Sequence, residues 1–319
     1  MKILVTGGCG FIGSNFIRHM LKKYPAYKIV NLDKLTYCGN PDNLRDIESD
    51  KRYSFIKGDI CDKKTVDKAM KDCGFVVNFA AESHVDRSIE DASDFICSNI
   101  QGVYALLEAA KKHNIKRFIQ ISSDEVYGSI RKGSFKENSL LHPNSPYSAA
   151  KAGGDHIALA YYTTFKLPVI VTRSSNNFGP YQYPEKVIPL FITNLLENKK
   201  VPLYGDGMNV RDWLYVIDNC GAIDLVLHKG KIGEIYNIGG SFEIPNIELT
   251  NIILKNLGKT DKMINYVPDR LGHDRRYSLD STKIKKLGWQ PSKDFNAAIK
   301  ETINWYKANT TWWQRLKNV

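Results

Sequence analysis

The chain has 319 residues, 43% apolar and 25% charged, a globular composition too long for one usual core, so a large unit with a smaller one is expected. Its formal charge of +11 is spread over separated pairs such as Lys22-Lys23, Lys111-Lys112 and Lys285-Lys286. With no basic arm or nucleic-acid motif beside them, these favour a solvated surface that attracts an anionic small molecule over a nucleic-acid partner.

The first half alternates strands and helices. Lys2–Thr6 is a short apolar run ending at glycine, a buried strand, and Ser14–Lys23 has helical periodicity that stops at Tyr24-Pro25. Lys28–Leu32 and Tyr53–Lys57 read as strands, Thr65–Lys71 as a helix and Phe75–Phe79 as the fourth strand. A long helix is predicted over Phe95–Lys112, a strand over Phe118–Ser122, a helix over Ser145–Phe165 and a strand over Val169–Thr172. Strands separated by helices require crossovers, which gives an α/β fold with a doubly wound parallel sheet.

After about Ser174 prolines and glycines cluster, and helices are predicted over Ile188–Asn198, Ile247–Leu257 and Asn296–Lys307. The reading is a dinucleotide-binding unit over 1–175 and a smaller, mixed α/β substrate unit over 176–211 and 239–319. Residues 212–238 are expected to return to the first unit, because Trp213–Val216 and Ile235–Ile238 resemble buried strands.

The six cysteines are scattered without a Cys-x-x-Cys pair. Neither a disulfide framework nor a metal site is indicated, and a reducing cytoplasm fits. Cys9, inside a glycine turn, is read as packed, with a redox sensor as the alternative. Met1-Lys2 leads straight into the first strand, so no signal peptide is expected. No apolar run approaches the roughly 20 residues of a membrane span.

Gly7, Gly10 and Gly13 follow a strand and open a helix. Glycines there allow a tight turn and close backbone approach to a pyrophosphate at a helix amino terminus, with Phe11 and Ile12 in the same turn. Asp33 ends the second strand, where a carboxylate accepts both ribose hydroxyls of NAD and repels a 2′-phosphate; a turn aspartate is the plainer alternative. Asp59-Ile60 after the third strand suit an adenine, and Ala80-Ala81 after the fourth leave room for the cofactor backbone.

Tyr147 and Lys151 are one helical turn apart. A tyrosine of pKa about 10 is a poor base, but a nearby ammonium and a positive nicotinamide both favour the phenolate, so its pKa is expected to fall. Ser122-Ser123 end the preceding strand and offer a hydroxyl to the same alcohol. Asp124-Glu125 follow at once. Two adjacent carboxyl groups can hold opposite protonation states and serve as acid and base; a helix amino-terminal cap is the plainer alternative.

On these groups, together with Ala80-Ala81-Glu82-Ser83-His84-Val85-Asp86-Arg87-Ser88, Asn176-Asn177 to Gly179-Pro180-Tyr181, Pro184-Glu185-Lys186, Arg211-Asp212-Trp213 and Gly272-His273-Asp274-Arg275-Arg276-Tyr277, the chain resembles the extended short-chain dehydrogenase/reductase family. The resemblance runs over essentially the whole length and points to its nucleotide-sugar 4,6-dehydratases. Ser123 stands where that family usually has threonine, keeping the hydroxyl, and Leu271 where it usually has proline.

The resemblance implies NAD as cofactor and dTDP-glucose as substrate. Tyr147, helped by Ser123, would take the proton of the 4-hydroxyl while hydride leaves carbon 4 for NAD. Glu125 would take the carbon 5 proton, Asp124 would donate to the hydroxyl leaving carbon 6, and the hydride would return to carbon 6. It also implies Lys34, Thr36, Ser98 and Asn177 beside the cofactor, with Asn99 equally a simple helix cap. Ser83 and Asn176 would meet the hexose. Lys186, Arg211 and Arg270, with Val187 beside them, would meet the diphosphate, and Asn246 and His273 the nucleotide end. A homodimer pairing the two long helices is implied too. The alternatives are a UDP-glucose dehydratase, a nucleotide-sugar 4-epimerase, which has no use for Asp124-Glu125, and an NAD- or RNA-binding regulator.

Overall fold

The computed structural model describes residues 1–269 and 271–317. In chain order the first unit runs β1 (Lys2–Thr6), α1 (Phe11–Lys23), β2 (Lys28–Asp33), β3 (Tyr53–Lys57), α2 (Lys63–Met70) and β4 (Phe75–Asn78). It continues with α3 (Val85–Glu90), α4 (Ser93–Ile96), α5 (Val103–Lys112), β5 (Arg117–Ser123), α6 (Pro146–Phe165) and β6 (Val169–Ser174). Then come β7 (Asn176–Phe178), α7 (Val187–Leu196), β8 (Val201–Tyr204), β9 (Val210–Tyr215), α8 (Val216–Lys229) and β10 (Ile235–Ile238). The chain ends with β11 (Glu243–Pro245), α9 (Asn246–Asn256), β12 (Ile264–Val267), α10 (Thr282–Lys286), α11 (Phe295–Ala308) and α12 (Thr310–Lys317).

Seven strands form one parallel sheet in the order β10-β6-β5-β4-β1-β2-β3. Alternate side chains feed its two faces. Ile3, Val5, Ile119 and Ile121 enter one apolar core, while Leu4, Val76 and Phe118 enter the other. The order reverses between β1 and β4, and in such sheets ligands bind at the carboxyl ends beside that reversal. The α/β doubly wound fold expected from the sequence is the one observed. Two smaller sheets, β11-β9-β7 and β12-β8, accompany it.

Of the segment 212–238, Ile235–Ile238 joins the large sheet beside β6, and α8 carries the chain there from β9. Trp213–Tyr215 departs from the expectation. It sits in the three-stranded sheet, because Asn176–Phe178 pairs with it while Glu243–Pro245 pairs with Val210–Asp212 just before it. The helix predicted over Phe95–Lys112 is a run from Ser93 whose turns Cys97–Gly102 take the wider π pattern. Such turns rotate side chains out of the usual register and recur at functional sites. No helix among the described residues is long and apolar enough to cross a membrane.

Candidate active site

One cleft opens at the carboxyl ends of β1, β2, β4 and β5. Its first wall is the glycine turn. Gly7 has φ +67°, and a Cβ there would sit 2.6 Å from the Ala80 nitrogen; a Cβ on Gly13 would lie 2.8 Å from the Gly8 Cα. Only glycine fits, so the turn brings α1's amino terminus to the cleft. Asp33 accepts from the Cys9 N–H (Oδ2, 2.8 Å) and the Leu35 N–H (Oδ1, 2.8 Å). Burial raises its pKa while those two donors pull it back. A carboxylate has about four acceptor positions, so the turn-holding role leaves room for ribose hydroxyls.

Lys34 pairs with Asp59 at 2.9 Å, and Thr36, Ile60, Ala80, Ala81, Ser98 and Asn177 line the same cleft with Gly10, Phe11 and Ile12. Asn177 is held by Asn219, whose Nδ2 donates to its Oδ1 at 2.8 Å. Asn99 is no cap. Inside the π turns it grips the Glu82 backbone, accepting from its N–H and donating to its carbonyl, both at 3.1 Å. The Cys9 thiol is pushed up to about 12 by burial and by the charge of Asp33, as befits a packed side chain rather than a sensor.

The second wall is built where β5 ends. Ser123 caps a single 3-10 turn, Asp124–Tyr127, and donates its hydroxyl to Asp124 Oδ1 at 3.1 Å. Across from it Ser145 and Ser148 form a capping box with Pro146 in the first turn, which starts α6 one residue before Tyr147. Asp124 is only 2% exposed, and its Oδ2 has no hydrogen-bond partner among the described residues. Burial, then the charge of Glu125, raise its pKa well above the carboxylate range, with Ser123 opposing. Its environment thus favours the protonated form, next to a second, half-buried carboxyl group.

In the protein alone, the Tyr147 phenol is pushed above the ordinary tyrosine value by burial and then by Glu125's charge, while a hydrogen bond with Ser123 lowers it; the fall expected from the sequence also required a positive nicotinamide beside it. Lys151 is buried as well, and loss of solvent lowers it to about 8 against the pull of Asp155. Its ammonium donates to the Ile121 carbonyl at 2.6 Å. Beneath lies a pair the sequence reading passed over. Asp155 Oδ2 accepts from Ser122 Oγ and Arg173 Nε, both at 2.9 Å, and Arg173 lies 4.8 Å from the Tyr127 ring centre. Asp155 is one turn past Lys151 on the same helix face, which was the available signal.

Of the substrate residues, Ser83, Ser123, Asn176 and Lys186 line this cleft, whereas Val187, Arg211, Asn246 and His273 lie outside its walls. Lys186 donates to the Ser83 carbonyl at 3.0 Å. Asn176 Oδ1 and Asn246 Oδ1 are buried with no hydrogen-bond partner among the described residues. Arg211 lies 4.3 Å from the Tyr277 ring centre and donates to the Asp274 carbonyl at 2.9 Å; its charge reaches Asp124. Val187 opens α7, and His273 bonds Asp269. Arg270 lies outside the described residues. Tyr37, Glu185, Trp312 and Leu316 also line the cleft; nothing in the motifs pointed to Trp312 or Leu316.

A family model described as GDP-mannose 4,6 dehydratase matches residues 4–302. The dTDP-glucose 4,6-dehydratase of Streptomyces niveus is 51% identical, covering 100% of this chain and 96% of its own. The crystal structure of a Streptomyces venezuelae dTDP-glucose 4,6-dehydratase with NAD bound superposes with a TM-score of 0.98 at 50% identity, covering 99% of this chain and 100% of that one. A UDP-glucuronic acid 4-epimerase from Bacillus cereus, also with NAD, reaches 0.91 at 30% identity over 97% of this chain and 99% of that one.

Proposed function

The chain belongs to the GDP-mannose 4,6 dehydratase family, and we propose that within it the protein is an NAD-dependent lyase, a dTDP-glucose 4,6-dehydratase. The observation that carries this is the Asp124-Glu125 pair at the end of β5, sharing a cleft with Ser123, Tyr147 and Lys151. An epimerase needs the tyrosine and lysine only. A buried carboxyl group held protonated beside a second one is an acid and a base, and elimination of water needs both.

The glycine cradle and the Asp33 carboxylate fit a dinucleotide without a 2′-phosphate. Bound NAD supplies the redox couple that oxidises carbon 4 and later reduces carbon 6, together with a positive charge beside the phenol. Tyr147, bonded to Ser123, takes the proton of the 4-hydroxyl. Lys151, fixed on the Ile121 carbonyl, holds positive charge under that site. Glu125 takes the proton at carbon 5, which the neighbouring ketone has made acidic, and later returns one. Asp124 gives its proton to the hydroxyl that leaves carbon 6 as water.

For the substrate, Ser83, Ser123 and Asn176 meet the hexose, Lys186, Val187, Arg211 and Arg270 the diphosphate, and Asn246 and His273 the nucleotide. The two unpartnered amide oxygens support this reading. So does the chemistry of arginine and lysine toward phosphates. Apart from Asn177 the cofactor residues come from 1–175, a unit rejoined by 216–238, and apart from Ser83 and Ser123 the substrate residues come from the remaining segments. All six thiols are free, which supports a reducing cytoplasm. A homodimer would cover Ile96 and Tyr104, exposed to 48% and 40% on the Ser93–Lys112 run.

The test is incubation with dTDP-, UDP- and GDP-glucose, scored for a ketone by NMR and loss of one water by mass spectrometry. The dTDP sugar is expected to react best. A 4-epimer of unchanged mass, or no product from any of the three, overturns the reading.

A further inference from the structure

The last helix, α12, has two working faces. Residues 313 and 317 share one, and 312 and 316 the next. On the first face Trp313 is buried and donates its indole N–H to the Tyr306 carbonyl at 2.9 Å, while Lys317 pairs with Glu197 at 2.9 Å. These fasten α12 to α11 and to the end of α7. The second face looks into the cofactor cleft, which Trp312 and Leu316 line together with Gly10, Asp33 and Asn43.

Trp312 does more than fill space. Its Nε1 donates to Asn43 Oδ1 at 2.9 Å. An indole N–H only donates, so the amide oxygen of Asn43 must face it and the amide nitrogen must face away. That nitrogen donates to the Cys9 carbonyl at 2.8 Å. The Cys9 N–H is in turn held by Asp33 Oδ2 at 2.8 Å. The peptide groups on both sides of Cys9 are thereby tied in the middle of the glycine turn, which sets the direction of the N–H groups that follow at α1's amino terminus. Around the indole, Trp305 packs edge-on at 5.0 Å and Tyr181 at 5.9 Å, and Arg18 covers the Tyr181 ring at 4.1 Å.

We propose that α12 is the retaining wall of the cofactor cleft and that Trp312 is a positioning residue, setting the glycine turn through Asn43 so that the dinucleotide stays bound between the two redox steps. The inference rests on the dehydratase reading, because that reaction takes electrons from carbon 4 and must return them to carbon 6 of the same sugar. Loss of the reduced cofactor in between would strand the ketone.

The experiment measures NAD affinity calorimetrically on protein stripped of dinucleotide, with melting temperature recorded alongside. Trp312→Phe keeps the ring and loses the N–H, so NAD should bind about threefold to tenfold more weakly, the worth of one hydrogen bond. Asn43→Asp cannot donate to the Cys9 carbonyl and should weaken binding likewise. Because the two act in series, the double variant should bind no more weakly than Asn43→Asp alone, whereas independent wall contacts would add. Trp312→Ala also opens the wall and should lose NAD on desalting; should it fail to fold, the Phe and Asp variants still decide. Gln314→Ala, exposed on the same helix, should bind as the unmutated protein does. Unchanged affinity in Trp312→Phe, or additive losses in the double variant, overturns the inference and leaves the dehydratase reading standing. An unmutated protein that binds no NAD overturns both.

Discussion

Lys151 donates its ammonium to the carbonyl oxygen of Ile121 at 2.6 Å, tying α6 to β5 two residues before Ser123. A cation in this buried position has given up water, and its pKa falls to about 8 despite the pull of Asp155. The sign follows directly. Below about 8 the lysine is charged and favours the phenolate of Tyr147; above it that help disappears. The rate at low substrate concentration, kcat/KM, should therefore fall on an alkaline limb near pH 8, far below the ordinary lysine value of about 10.4. In Lys151→Met that limb should vanish along with most of the activity. A limb at the ordinary lysine value would show that Lys151 is not the group being titrated.

Tyr147→Phe tests the base itself. The ring is buried and packs edge-on against Phe95 at 6.3 Å, so the variant keeps its packing and should bind NAD as before. Losing general-base help typically costs about 10²–10⁴ in rate. Ser123→Ala leaves the phenol but removes the hydrogen bond that lowers its pKa, so a smaller loss is expected, with the optimum moved to higher pH. Turnover of Tyr147→Phe near that of the unmutated protein would make the tyrosine structural.

Asp33 has two duties, and substitutions separate them. On the proposed reading the carboxylate, which lines the cleft, meets the ribose hydroxyls and repels a 2′-phosphate, so the protein should bind NAD far better than NADP. It also holds the Cys9 and Leu35 N–H groups, and each buried donor left unpaired costs about 1–3 kcal/mol. Asp33→Asn keeps one acceptor oxygen, so it should narrow the preference with a modest loss of NAD affinity. Asp33→Ala should narrow it too and lose more affinity. Calorimetric titration with both dinucleotides reads the two effects; equal NADP affinity in the unmutated protein would contradict the assignment.

The sheet was legible because β1, β2, β4, β5 and β6 are short apolar runs bounded by turns, and both faces of each are covered. Helix α8 was not. Its buried face carries Asp218, Asn219 and Asp224, which look like surface residues in sequence. Most of their partners come from far away: Ser292 donates to Asp218, Ser174 to Asn219, and His19, Lys23 and Tyr24 bond Asp224. In the cleft, the glycine turn, Asp33 and the Tyr147-Lys151 pair announce themselves by spacing. Trp312 does not, because its place depends on how α12 folds back onto Asn43. The direction of Tyr147's shift was hidden for a similar reason: burial is a property of the assembled fold.

The Asp224 cluster makes a stability prediction of its own. Asp224 joins α8 to α1 and its C-cap through His19 (2.9 Å), Lys23 (2.6 Å) and Tyr24 (2.9 Å), and pairs with His228 (2.9 Å) one turn on along α8 itself. Burial alone would raise the carboxyl group, but those hydrogen bonds outweigh it and hold its pKa far below the usual range. Its contribution is present above the unfolded value of about 3.9 and is lost as pH falls toward the depressed folded value. His228 is raised, first by its hydrogen bond to Asp224. Its contribution is complete below about 6.5 and is lost as pH rises through the higher folded value. Asp224→Asn removes the charge of a buried carboxylate whose cationic partners are partly or half exposed to solvent, and should cost about 1–3 kcal/mol. The drop in melting temperature should be greater at about pH 5.5, between those two unfolded values, than at alkaline pH. The same drop at both pH values would show that His228 is neutral in the fold.

The decisive prediction concerns Asp124 and Glu125. If Glu125 exchanges the carbon 5 proton with solvent while the redox couple moves hydride from carbon 4 to carbon 6, the label pattern is fixed. In heavy water the product should gain deuterium at carbon 5 and none at carbon 6. Substrate deuterated at carbon 4 should deliver that label to carbon 6. Asp124 is buried, and its loss of solvent and then Glu125's charge raise its carboxyl group toward the protonated form. Asp124→Asn therefore keeps the shape and removes the acid, and should slow loss of the 6-hydroxyl because an amide is a far weaker acid. A 4-keto sugar still carrying its 6-hydroxyl should then become detectable. Glu125→Gln should slow elimination while NAD binding stays as in the unmutated protein, and should suppress deuterium uptake at carbon 5. Mass spectrometry and proton NMR read every one of these outcomes. Solvent deuterium at carbon 6, or full dehydration by both variants, would show that the pair does not act as the acid and base of the elimination.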